Sequence, residues 1–193
     1  MWPWEHLAVG YVLYSLLRHA VARAPPTGPG AVAVGIGAVL PDLIDKPLAW
    51  VLRITSSGYS IAHSLFVAPA VCVAAVALAR RFGHRRVGVA FAVGYGSHLA
   101  GDVVYPLFLG RGLAPSVVLW PAVDQPPSDA GVGFVALVVR YLGRYARQMA
   151  ALEPTPYLLF QSALALCVLL LWAVDGAPGV ATLYRFAARR ADR

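Results

Sequence analysis

Charge is scarce in this chain. Asp, Glu, Lys and Arg make up 13% of its 193 residues, against an ordinary share of roughly 25%. So few charged side chains cannot cover a water-facing surface. The 59% of hydrophobic residues and mean hydropathy of +0.66 exceed the roughly 45–50% apolar share of soluble domains, and an integral membrane protein is implied. Cysteine is scarcer still. Cys72 and Cys167 sit in separate apolar runs with no CxxC partner, so both read as small buried hydrophobes and not as a disulfide framework or thiolate site. Basic residues are missing ahead of the first apolar run, MWPWEH, which therefore does not read as a cleaved signal peptide and is expected to be retained. No internal repeat is present.

What charge there is has a pattern. The formal net charge is +7, but its arginines gather at Arg18 and Arg23, in RRFGHRR (80–86), in RYLGRYAR (140–147) and in RFAARRADR (185–193). Clusters that punctuate apolar segments are topology signals, and no nucleic-acid partner is expected. Five stretches, Leu7–Ala24, Gly30–Leu52, His63–Ala79, Val87–Leu109 and Tyr157–Val174, each approach the ~20 residues that cross a bilayer. The segments 22–30 and 110–131 are loops by their proline and glycine content. In 131–149, Arg140, Arg144 and Arg147 fall on one helical face behind an apolar part too short to span, as in an interfacial amphipathic helix. The expected fold is all-α: a single multi-pass membrane domain over residues 1–193, with about five transmembrane helices and one interfacial helix. With arginine-bearing turns at 18–30 and 80–86 inside, the chain is placed in the cell membrane with the lipid bilayer as its surroundings; five spans leave the arginines of 140–147 outside, whereas six would put the basic tail outside. The oligomeric state is left open.

The rare polar residues sort by depth on that scheme. His6, Asp42, Asp45, His63, His98 and Asp102 all fall toward the non-cytoplasmic ends of their segments. On a rise of ~1.5 Å per residue, Asp102 stands about 24 Å from Arg86 and His63 about 26 Å from Arg80. An unpaired aspartate at bilayer depth costs ~2.5–3.5 kcal/mol even on the lenient insertion scale, so their convergence is by default functional. His98 and Asp102 are i and i+4 and project from one helical face. Asp42 and Asp45 lie between Pro41 and Pro47, which are expected to loosen the helix and let both carboxylates turn inward. Imidazole and carboxylate donors suit zinc, manganese or iron, as one ion or as two sharing a carboxylate. His19 and His84, beside arginines, read as structural.

The motifs WEHLAVGYVLY (4–14), LPDLIDKP (40–47), AHSLF (62–66) and GYGSHLAGD (94–102), in that order, resemble the YdjM-like membrane-bound metal-dependent hydrolases, a family thought to be related to zinc-dependent phospholipase C and P1-type nucleases. The resemblance covers roughly residues 1–109. It implies metal contacts from His6, Asp42, Asp45, His63, His98 and Asp102. The chain departs from it where members often show Asp-x-Asp-His and this sequence has Asp42-Leu-Ile-Asp45-Lys46, and where a His-Arg pair often precedes the histidine that His63 supplies here.

The expectation is then a metal-dependent hydrolase with its site on the non-cytoplasmic side, acting on a phosphoester or lipid-like amphiphile. Asp42 or Asp45 would take a proton if not itself coordinating. Lys46 and Ser64 would stabilise an oxyanion or phosphate oxygen, Glu5 would orient His6, and Arg111 would pair with a phosphate. Two rivals stand beside it: an ion- or proton-coupled transporter and a non-catalytic membrane scaffold with a structural metal.

Overall fold

A computed structural model describes residues 1–127, 132–151 and 153–180. Six α-helices follow in order: α1 Pro3–Ala22, α2 Gly28–Trp50, α3 Ala68–Arg81, α4 Arg85–Val104, α5 Phe134–Ala150 and α6 Pro156–Val174. Two short 3₁₀ turns, Tyr105–Leu109 and Pro115–Val118, follow α4. No strand occurs among the described residues. The basic tail 185–193 lies outside them.

Local chemistry starts and stops these helices. Pro3 opens α1, where its missing N–H costs nothing, and the Glu5 carboxylate accepts a hydrogen bond from Trp2 N–H at 2.7 Å. Arg23 ends α1 in the left-handed region at φ 46°. Thr27 caps α2 by accepting from Gly30 N–H at 3.2 Å, and Thr155 caps α6 by accepting from Leu158 N–H at 3.1 Å.

The centre of the bundle is α2 crossing α4, with α1 on both and α3 against α4. Glycine sets that approach. A Cβ on Gly37 would stand 2.2 Å from the Phe91 carbonyl oxygen, and one on Gly94 would stand 2.1 Å from that of Val34. Such small-residue contacts let backbones close up where lipid offers no hydrophobic force to press helices together. α6 runs parallel to α1: Tyr157 at its start reaches Glu5, and Asp175 just past its end reaches Tyr11, Ser15 and His19.

The interior is polar and the exterior apolar. Glu5, His6, Asp45, His63 and His98 are among the largest fully buried side chains, while Leu166, Leu169 and Leu170 on α6 are 58–61% exposed. A water-soluble domain would show the reverse.

Three expectations are corrected. Five spans are not supported: among the described residues, two helical segments, Arg85–Leu109 and Pro156–Val174, are long and apolar enough to cross a membrane. The stretch from His63 shortens to α3, whose 14 residues rise only about 21 Å against a ~30 Å core. His63 itself belongs to the irregular chain between α2 and α3. Finally, Pro41 and Pro47 do not break α2, which runs through both. Asp42 and Asp45 face inward by ordinary i, i+3 helical periodicity instead.

Candidate metal centre

Three helices and one loop deliver the polar cluster. α2 presents Asp42 and Asp45, α4 presents His98 and Asp102, α1 presents His6, and the chain after α2 folds back with His63. The loop is held by Asp45. Its carboxylate accepts the backbone N–H groups of Ser60 (2.8 Å), Ala62 (3.0 Å) and His63 (3.0 Å), and contacts His63 Nδ1 at 2.8 Å. Tyr95 on α4 fastens the same turn by donating to the Ala62 carbonyl.

The opposite ring nitrogens converge. His63 Nε2 and His98 Nε2 are 3.0 Å apart. Asp102 Oδ2 lies 3.4 Å from each of them, and Asp42 Oδ1 lies 3.5 Å from His63 Nε2 and 3.7 Å from His98 Nε2. One donor atom from each of Asp42, His63, His98 and Asp102 falls within 4.8 Å of all the others, and all four residues are buried. A tetrahedron of donors ~2.0–2.1 Å from a zinc-sized ion has edges of about 3.3–3.4 Å, so the spacing matches.

Hydrogen bonding makes the same point chemically. His98 Nδ1 faces the Ala38 carbonyl at 2.7 Å, an acceptor only, so this nitrogen carries the proton. His63 Nδ1 faces the Asp45 carboxylate in the same way. In the neutral rings both Nε2 atoms then present lone pairs, toward each other and toward two carboxylate oxygens. Four acceptors face one point, and Asp42 Oδ1 has no hydrogen-bond partner among the described residues. Such a constellation fits a divalent cation, with Asp45 and the Ala38 carbonyl orienting the imidazoles from behind. The outer oxygens of both carboxylates are engaged elsewhere: Asp42 Oδ2 by Lys46 Nζ, and Asp102 Oδ1 by the Met1 amino group at 2.8 Å.

The other expected site residues take different places. His6 stacks on His98 with ring centroids 3.7 Å apart, its Nε2 3.3 Å from Asp102 Oδ1. Neither of its ring nitrogens has a hydrogen-bond partner among the described residues. Asp45 lies behind His63 and outside the four donors. Ser64 donates to the Trp120 carbonyl at 2.6 Å. Glu5 does not orient His6: its carboxylate accepts from Trp2 N–H, from the Tyr157 hydroxyl at 2.8 Å and from Gln161. Sequence reasoning missed Tyr59, whose ring packs edge-on to His63 at 4.9 Å, and the Ala38 carbonyl. A main-chain oxygen carries no residue-type signal, and Tyr59 sits in a stretch without periodicity.

Fold and site together define a helical membrane protein built around a buried histidine–aspartate centre fit to hold a metal ion. The chain belongs to the YdjM inner membrane protein family, which it matches over residues 1–177. No curated protein and no solved structure matches it. The family match agrees with the resemblance read from the motifs and does not extend to zinc-dependent phospholipase C or P1-type nucleases.

Proposed function

We propose that this protein is a membrane-bound metal-dependent hydrolase of phosphoesters or lipid-like amphiphiles. Asp42, His63, His98 and Asp102 would hold the ion, zinc best by donor set and spacing, with manganese or iron as the other fits. The observation that carries the reading is a surplus of donors. His6 is buried with its Nε2 3.3 Å from Asp102 Oδ1 and its Nδ1 without a hydrogen-bond partner among the described residues, more than a closed four-donor site requires. That surplus leaves room for a second ion sharing Asp102 or for a group that handles substrate.

A divalent ion bound there supplies Lewis acidity, polarising a phosphoryl oxygen and making a nucleophile from water near neutral pH. The protein's own residues do the rest. Asp45 and the Ala38 carbonyl keep Nδ1 protonated on both imidazoles, so each Nε2 remains a donor. His6 offers an unpartnered nitrogen at the cluster to accept a proton. Lys46, whose side chain is 25% exposed while its amine touches Asp42, can turn from that carboxylate to an incoming phosphate oxygen. Ser64, tied to Trp120, serves the loop's shape. The cluster lies at the ends of α1, α2 and α4 away from the arginine-bearing turns, which supports a non-cytoplasmic site and a substrate that enters from the lipid.

One observation favours a second reading, a scaffold with a structural metal: four buried protein donors form a closed shell, as structural zinc sites do. Two measurements separate the readings. Elemental analysis of purified protein should find transition metal at one or two ions per chain, reduced by His98→Ala and Asp102→Ala and unchanged by His84→Ala. Phosphoester release from lipid substrates should then depend on that metal and fall at least about 100-fold in Asp42→Ala, the scale of losing a group that stabilises the transition state. Full metal with no release from any lipid phosphoester would leave the scaffold standing.

A further inference from the structure

α5, like α3 and α6, supplies no donor to the metal centre, and it is attached in an unusual way. Aromatic side chains hold it to the bundle. Tyr141 stacks on Trp50 at 6.2 Å, and Tyr145 packs edge-on against Trp2 at 5.0 Å and Trp4 at 5.3 Å. The Tyr145 hydroxyl also donates to Gln161 at 3.1 Å. Both footholds border the metal centre. Trp50 is one turn past Lys46, whose amine lies 5.8 Å from its ring centre and contacts Asp42. Trp2 and Trp4 lie just after Met1, whose amino group binds Asp102. α5 therefore lies across the end of the bundle where the four donors meet.

Its exposed surface has two characters. At 3.6 residues per turn, Arg140, Arg144 and Arg147 fall within about 60° of one another, while Val135, Val139 and Leu142 centre about 140° around the helix. All three arginines are exposed, and the three apolar residues are 72%, 64% and 45% exposed. The helix carries no acidic residue. A helix with its aromatic side on the bundle, an apolar side and a cationic side has the form of one lying at a bilayer surface, its cations level with the headgroups.

We propose that α5 is a binding surface for anionic phospholipid headgroups, which Arg140, Arg144 and Arg147 hold by their phosphates at the end of the bundle that carries the metal centre. This deepens the hydrolase reading and rests on it for one consequence, that the substrate is a phosphate-bearing lipid. Guanidinium groups take phosphate oxygens in paired hydrogen bonds, and three of them over two turns favour a charged lipid surface over a single soluble anion. The exposed valines and leucine beside them supply contact with the acyl region that a soluble phosphate lacks.

The test uses the full chain in neutral detergent micelles and reads the fluorescence of the tryptophans beneath α5. Titration with phosphatidylglycerol should give saturable binding, weakened at least about tenfold by R140Q/R144Q/R147Q, since each cation near an anionic surface contributes on that scale. Phosphatidylcholine should bind weakly and equally to both proteins. Equal phosphatidylglycerol affinity in the triple variant would overturn the proposal, as would inorganic phosphate competing at the same concentration as the lipid. Metal content, measured on the same samples, should be unchanged by the arginine substitutions. His98→Ala should lose metal and keep phosphatidylglycerol binding, so the surface and the hydrolase reading fail separately.

Discussion

Asp175 shows what a single carboxylate does in a chain with so few. It is buried just past the end of α6 and takes hydrogen bonds from Tyr11 and Ser15 at 2.7 Å, with His19 Nε2 also 2.7 Å away. Burial pushes its pKa up, but the bonds from Tyr11, His19 and Ser15 outweigh that and hold it below the ordinary value of 3.8. A carboxyl lowered on folding stabilises the protein above that value and loses its contribution as the pH falls through its folded pKa. Asp175→Asn should therefore lower the thermal unfolding midpoint at pH 7, by the ~1–3 kcal/mol typical of a broken buried network. The gap to wild type should narrow below about pH 4; a constant gap down to pH 3 would argue for loss of packing alone. At this scale the four residues that could hold a metal were readable in advance. His98 and Asp102 carry the i, i+4 spacing of a shared face, and an aspartate at depth needs a reason. The work of Asp45 was not, because gathering three backbone N–H groups depends on how the loop returns.

Helices were legible from their apolar runs and caps, and α1, α2, α4, α5 and α6 lie close to where the pattern puts them. The errors concern proline and irregular chain. Pro41 and Pro47 read as a break because each removes a helical N–H and crowds a preceding carbonyl, yet α2 continues through both under its packing against α4. α3 begins five residues after His63, because the turn that carries this histidine is shaped by Asp45 and Tyr95 from other helices. The tightest prediction at this scale concerns Gly94. A valine there meets the Val34 carbonyl, so α2 and α4 must move apart, costing ~1–3 kcal/mol as overpacking does. Since those two helices supply Asp42, His98 and Asp102, Gly94→Val should lose metal as well as thermal stability. Retention of both would show that the crossing is not what aligns the donors.

Across the whole molecule, polarity is turned inside out and sorted along the bundle. Arginine-bearing turns (18–23 and 80–86) gather at one end and the histidine–aspartate cluster at the other, which supports the proposed non-cytoplasmic site, with Arg53 and the α5 arginines at the cluster's end counting against the positive-inside rule. Residue 84 lies exposed in the turn between α3 and α4. His84→Cys should react with a membrane-impermeant thiol reagent only after the cytoplasmic face is opened. Labelling of intact spheroplasts from outside would reverse the proposed orientation. Total span number is where whole-molecule reasoning from hydropathy overreached. Apolar composition marks a segment as lipid-compatible, but α3 is too short to cross, and α2 carries Asp42, Asp45 and Lys46 in its second half.

By itself the sequence determined that the chain is helical and membrane-embedded, and that three of its aspartates and three of its histidines share a depth. Composition, helical period and the cost of unpaired charge in hydrocarbon require that much. Only the tertiary structure decided which atoms meet. Four acceptors converge because a glycine-lined crossing brings α2 and α4 within backbone contact and because Asp45 pulls the His63 loop into the gap. Both are long-range contacts, and no local pattern of residues encodes them.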